Sequence, residues 1–225
     1  MSRLKLDYNQ VDTGENPVVS IIWMHGLGDH GSSFVPIVPH FDLTGCPPIR
    51  FIFPHAPERA VTINMGYEMR AWFDIYGGFD VSDHEDTEGV QESQRLIMQL
   101  IQMEKARGIP SENIFLAGFS QGCAMALYTA LCNPEKMGGV IGLSGYIPLI
   151  RQFPDDRSPA NQDTPIFLAH GTYDEVVPVG RARVAKDLLQ ELNYSVEWHE
   201  YPIPHTLSIE ELNDISAWLR RLLVK

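Results

Sequence analysis

The sequence predicts an α/β protein: a doubly wound, mostly parallel sheet with helices on both faces. Three observations carry this expectation. Short apolar runs, most of them continuous, recur along the chain, as strands buried on both faces require. Segments with helical apolar spacing alternate with them. The 225 residues contain no internal repeat, low-complexity tract or Ser/Gly-rich linker. Residues 1–225 are therefore expected to form one domain without a large cap.

Taken in order, residues 18–24 form the first apolar run and the first expected strand. Residues 49–53 form the second. Residues 54–82 are rich in Pro, Gly and aromatics, and predict an irregular loop. A loop that long in a compact domain is commonly a lid or a binding wall. A helix starts near Thr87 and ends before the breaker Gly108-Ile109-Pro110, with Val90, Ile97, Leu100 and Ile101 on one face. Asp83, Glu85, Asp86 and Glu88 lie at its positive end, which reads as a solvated helix start rather than a cation cage. Strands follow at 113–118, 139–143, 165–169 and 196–200, with helices at 121–132, 181–192 and 209–223.

Charge and composition narrow the function. Seventeen basic against 29 acidic residues give a net charge of −12, which disfavours nucleic acid or an anionic membrane as the main partner. No apolar stretch approaches the roughly 18 residues of a membrane span. The N-terminus turns polar at once, so no secretory signal is expected and a cytoplasmic location follows. Cys46, Cys123 and Cys132 are odd in number and show no CxxC spacing, which points to neither a disulfide framework nor a zinc site.

Gly118-Phe119-Ser120-Gln121-Gly122 joins an expected strand to an expected helix. A serine on such a turn points its Oγ away from the sheet, and the glycines keep side chains out of the turn. The helix N-terminus adds free N–H groups where negative charge develops. A nucleophile of this kind needs a base and an acid in the order Ser, acid, His. His170, His199 and His205 follow Ser120. His170 precedes the best acid, and His199 lies within an alternating strand. His205 stands just past a strand's carboxyl end, where catalytic groups of open α/β sheets project. Among the carboxylates between Ser120 and His205, Asp155, Asp156 and Asp163 precede a strand and Asp187 lies in a helix. Asp174 alone follows a strand end directly. His25-Gly-Leu-Gly-Asp29 follows the first long strand, and its glycines let N–H groups approach an oxyanion. The expected donors are the N–H groups of Gln121 and, from that loop, Leu27. His25 is read as a strand-end histidine bonding to neighbouring loops, not as a second base. A phosphate-binding loop is excluded because neither the Walker nor the Gly-x-Gly-x-x-Gly spacing is completed.

With these residues assembled, the chain resembles the phospholipase/carboxylesterase family of α/β-hydrolases, which includes acyl-protein thioesterases and bacterial carboxylesterases. Six blocks carry the resemblance over nearly the whole chain: His25-Gly-Leu-Gly-Asp29, Pro54-His-Ala-Pro57, Met69-Arg-Ala-Trp-Phe-Asp74, Gly118-Phe-Ser-Gln-Gly122, His170-Gly-Thr-Tyr-Asp174-Glu-Val-Val-Pro178 and Tyr201-Pro-Ile-Pro-His205. The resemblance implies an α/β-hydrolase fold, a Ser120–Asp174–His205 triad, and oxyanion donors at Leu27 and Gln121. It also implies an acyl pocket walled by the loop through Met65 and Trp72. Phe73 is an apolar neighbour in that loop able to receive acyl chain. Two departures stand out. Cys123 replaces the usual glycine after Gly122, where a side chain crowds helix against strand or the base of the pocket. Ser2 stands where eukaryotic acyl-protein thioesterases often carry an acylatable cysteine, and it is not the glycine that myristoylation needs. The type expected is therefore bacterial, without a lipid anchor.

The expected function is a serine carboxylesterase. It cleaves esters of short- to medium-chain acids, and acyl thioesters, through an acyl-enzyme and without a cofactor or metal. One alternative is an acyl-protein thioesterase or lysophospholipase preferring long chains. An alternative of another class is a non-catalytic relative that binds hydrophobic ligands. Such relatives generally lose a triad member, and none is missing here. The expected partner is a small ester or thioester substrate, with no nucleic acid and no stable membrane anchor. An exposed apolar groove is a surface that a homodimer would share.

Overall fold

The structure is a computed structural model that describes residues 6–77 and 85–224. Of the expected acidic helix start, Asp83 lies outside those residues, as does Ser2 at the N-terminus. Nine strands are present among the described residues: β1 (Tyr8–Asp12), β2 (Val19–Met24), β3 (Ile49–Pro54), β4 (Glu58–Val61), β5 (Tyr67–Arg70), β6 (Ile114–Phe119), β7 (Gly139–Leu143), β8 (Ile166–Gly171) and β9 (Val196–Tyr201). The helices are α1 (Thr87–Ala106), α2 (Gln121–Leu131), the one-turn α3 (Phe153–Asp156), α4 (Val179–Glu191) and α5 (Ile209–Leu223).

Seven strands form one sheet in the order β1-β3-β2-β6-β7-β8-β9. All neighbours are parallel except β1, which pairs antiparallel with β3 (Asn9 opposite Phe53). The central strands read as unbroken apolar runs because both their faces are covered. Ile22 and Met24 of β2, Leu116 of β6 and Leu168 of β8 face a core closed by α1, α2 and α4. Their neighbours Ile21, Trp23, Ala117 and Phe167 face a second core with Phe34, Ile215 and Trp218. This is the period-two alternation of a strand carried between two apolar layers. Phe34 comes from a 3₁₀ stretch, Gly31–His40, that follows the β2 loop.

The sheet order fixes where a site can form. From β2 the chain moves to β3 on one side, while β6 pairs on the other side of β2 and leads outward to β7. The connections diverge between β2 and β6, so a crevice opens at the carboxyl ends of those two strands. The loops carrying Leu27 and Ser120 leave from those ends.

The fold is the expected α/β-hydrolase architecture, and each of the six expected strands is present within two residues. Two features differ from expectation. β1, Tyr-Asn-Gln-Val-Asp, is an edge strand with exposed polar residues, so it carries no apolar run. Part of the irregular stretch 54–82 is an antiparallel hairpin, β4 with β5, turning through the left-handed pair Met65 and Gly66. Its strands, Glu-Arg-Ala-Val and Tyr-Glu-Met-Arg, are largely exposed and lack a buried face to mark them.

Candidate active site

Ser120 sits between β6 and α2 with φ 56° and ψ −118°, a sparsely populated conformation for a residue with a side chain. The surroundings over-determine it. Its N–H donates to Leu143 O at 2.8 Å, and its C=O accepts from Cys123 N at 3.0 Å. A Cβ on Gly118 would fall 2.2 Å from the Gly122 carbonyl, and one on Gly122 would fall 2.2 Å from Met24 O. Both flanking glycines therefore permit backbone contacts that no side chain allows, and α2 drops onto the ends of β2 and β6.

His205 Nδ1 lies 2.6 Å from Asp174 Oδ2. Asp174 Oδ1 accepts the N–H groups of Val176 (2.9 Å) and Val177 (2.8 Å). The carboxylate is thus held on both oxygens with its side chain fully buried. His170 Nε2 approaches Oδ2 as well, at 3.2 Å. The His205 ring packs on Phe119, with centroids 4.7 Å apart, so one face is shielded while the other edge lines a cavity.

That cavity, of about 220 Å³, is lined by Leu27, Ser120, Gln121 and His205 together with Ile75, Tyr146 and Val176, among others. Among the described residues, the backbone N–H groups of Leu27 and Gln121 have no hydrogen-bond partner. Gln121 is the first residue of α2, so its N–H also carries the positive end of the helix. The side chain of Gln121 turns away from the cavity: Oε1 accepts from Trp72 N and Nε2 donates to Phe73 O, both at 2.8 Å.

His25 bonds to neighbouring loops. Nε2 accepts from Ala56 N at 3.0 Å, which leaves the hydrogen on Nδ1, 2.7 Å from Gly26 O. Burial lowers its pKa to about 4, so the ring is neutral over the physiological range.

Three residues expected in the acyl wall lie elsewhere. Trp72 is wholly buried, its Nε1 donating to His25 O at 2.9 Å and its C=O accepting from Ser93 Oγ. Phe73 is buried in the same core. Met65 is 87 % exposed at the left-handed tip of the β4–β5 hairpin. The cavity lining includes none of them; Ile75, Tyr146 and Val176 take the wall instead. Ile75 closes the same loop. Tyr146 and Val176 follow the ends of β7 and β8, a position that strand order alone marks as facing the crevice.

Cys123 is accommodated by two glycines. A Cβ on Gly142 would lie 2.9 Å from its Sγ, and one on Gly145 would lie 2.5 Å from its Cβ. The side chain at 123 thus fills space that the end of β7 and its turn leave empty. Burial pushes the thiol up to about 12. Asp86 caps α1, accepting Gly89 N at 2.9 Å and Asp74 N at 2.7 Å. Among the described residues no group of three His, Cys, Asp or Glu side chains is placed to hold a metal, and no helix is long and apolar enough to cross a membrane.

The sequence profile of the family described as Phospholipase/Carboxylesterase matches residues 7–223. "Acyl-protein thioesterase 1" of Yarrowia lipolytica is 38 % identical over 204 residues, 89 % of this chain and 90 % of the relative. "Acyl-protein thioesterase 1" of Gibberella zeae is 41 % identical over 212 residues, 91 % of this chain and 90 % of the relative. The crystal structure of Arabidopsis thaliana SOBER1 superposes with a TM-score of 0.85 at 34 % identity, covering 91 % of this chain and 99 % of that one.

Proposed function

Since the chain belongs to the phospholipase/carboxylesterase family and is a serine hydrolase of ester bonds, we propose that Ser120, His205 and Asp174 carry its acyl transfer. His205 Nε2 takes the Ser120 proton as Oγ attacks the ester or thioester carbonyl. The N–H groups of Leu27 and Gln121 hold the oxyanion. His205 then gives the proton to the departing alcohol or thiol, and water repeats the sequence on the acyl-serine. Asp174 holds the imidazole through Nδ1 and balances its charge. The observation that carries this reading is the 2.6 Å contact from Asp174 to His205, with His205 and Ser120 both lining the cavity.

The acyl group is short to medium in length. A cavity of about 220 Å³ falls below the roughly 300–1,000 Å³ of pockets for drug-sized ligands. A second reading, long-chain or protein deacylation, is favoured by the exposed apolar residues Met65, Tyr67, Tyr173 and Val176, which could carry chain leaving the cavity. The names of the fungal relatives point the same way. A cytoplasmic location fits three cysteines without a disulfide.

The test is hydrolysis of p-nitrophenyl esters of increasing acyl length, with a palmitoyl thioester peptide, by wild type and Ser120→Ala. Activity that peaks at short chains and vanishes in the variant supports the main reading. A peak at long chains or on the thioester replaces it with the second. A variant as fast as wild type overturns both.

A further inference from the structure

Asp174 meets two histidines, of which the reaction proposed above uses one. His205 Nδ1 lies 2.6 Å from Asp174 Oδ2, and His170 Nε2 lies 3.2 Å from the same oxygen. His170 is wholly buried near the end of β8, four residues before the carboxylate. Its Nε2 is also 2.7 Å from Val177 O. A carbonyl oxygen only accepts, so Nε2 carries the hydrogen and directs it between Val177 O and Asp174 Oδ2. Nδ1 is then the bare nitrogen, and it is buried without a partner among the described residues. Protonating it would set an N–H against nothing that accepts, on top of the cost of charging a ring out of water.

The charges around the ring are few. Burial holds its pKa below the ordinary value and His205 acts in the same direction, while Val177 O, Asp174 and Glu200 oppose them. Glu200 stands beside His170 in the β8–β9 register and is itself paired with Arg183 of α4 at 2.7 Å. The turn after β8 is closed from both sides: Asp174 Oδ1 takes the Val177 N–H, and His170 takes the Val177 carbonyl.

We propose that His170 is a positioning residue for acyl transfer: a neutral Nε2–H donor that fixes the 174–177 turn, aims Asp174 Oδ2 at His205, and leaves His205 as the only imidazolium on that carboxylate. The proposal rests on Asp174 and His205 being the acid and base. A cationic His170 would compete with His205 for one carboxylate; a neutral one orients without competing.

The experiment measures kcat and KM for p-nitrophenyl acetate across pH in wild type, His170→Leu, His170→Gln and Ser120→Ala. In His170→Leu, kcat falls roughly tenfold with KM nearly unchanged, because a misaimed base slows chemistry rather than binding. His170→Gln, which keeps an N–H toward Val177 O, recovers most of kcat. Wild-type kcat in the Leu variant overturns the proposal, as does equal loss in the Leu and Gln variants. Nitrogen-15 shifts of the wild-type imidazoles give an independent reading if the Leu variant does not fold: His170 is neutral with its proton on Nε2 at neutral pH. A cationic ring or an Nδ1–H tautomer overturns the proposal. Full activity in Ser120→Ala defeats the triad reading instead, so the two failures are distinguishable.

Discussion

Gln121 holds Trp72 by its backbone: the Gln121 Oε1 accepts the Trp72 N–H at 2.8 Å, and Nε2 of the same amide donates to Phe73 O at 2.8 Å. One residue thus offers its own backbone N–H to the cavity and ties down the loop behind it. Trp72 in turn reaches His25 O at the end of β2, so the two strand-end loops of the crevice are joined through one residue, Trp72.

Gln121→Leu orphans two buried backbone groups, each costing about 1–3 kcal/mol. The midpoint of urea unfolding falls accordingly. kcat for a short ester falls roughly tenfold as the N–H groups proposed to hold the oxyanion lose their fixed aim, although the backbone N–H itself remains. Unchanged stability would show that the clasp carries no weight.

Asp174→Asn keeps the shape of the site but offers His205 Nδ1 an amide in place of a carboxylate. The imidazole is then free to take the wrong tautomer, and kcat falls by about 10⁴ while KM changes little. Steady-state kinetics at neutral pH read this directly. Circular dichroism checks that the fold is kept.

Stability should pass through a plateau with pH. The His25 pKa is about 4 when folded against 6.5 in the unfolded chain, so the unfolded state binds more protons between those values. The His25 contribution is therefore full above about pH 6.5 and falls as pH drops toward 4, by about 3 kcal/mol in total. Glu211 has the opposite sign. Burial raises it to about 8 from 4.5, so its contribution is full below 4.5 and fades as pH rises through 8. Denaturant titrations from pH 4 to 9 show a maximum between about pH 4.5 and 6.5. Glu211→Gln removes the alkaline decline and leaves the acidic one.

Cys123 is chemically silent. Its buried thiol, pushed up to about 12, does not react with iodoacetamide at pH 8 in the native protein, whereas the partly exposed Cys46 does. Mass spectrometry of the labelled protein distinguishes the two. Cys123→Gly leaves a void against Gly142 and Gly145 and places a glycine in α2, costing about 1–3 kcal/mol.

Much of this was legible in the residues. Continuous apolar runs such as Ile21-Ile22-Trp23 declare strands covered on both faces, and Gly118-x-Ser120-x-Gly122 declares a turn whose glycines face backbone. Strand ends also point to His205 and Asp174, because residues just past them project into the crevice. What stayed hidden depends on tertiary packing. β1 has no apolar pattern, since an edge strand is held by its backbone bonds to β3. Trp72 and Phe73 read from sequence as pocket lining because large apolar residues in a long loop have two destinations, the ligand or the core. Burial sends both to the core, and the smaller Ile75 takes the wall. Chain order argues against His170 as the base, and its 3.2 Å approach to Asp174, a tertiary contact, is what points to another role.

The most direct test of the central claim traps the acyl-enzyme. Wild-type protein is quenched in acid milliseconds after mixing with a p-nitrophenyl ester, digested, and analysed by mass spectrometry. The acyl group is expected on the peptide containing Ser120, with a burst of one p-nitrophenol per chain, and both are absent in Ser120→Ala. Acyl mass on any other residue, or a burst that survives in Ser120→Ala, would contradict the assignment of Ser120 as the nucleophile.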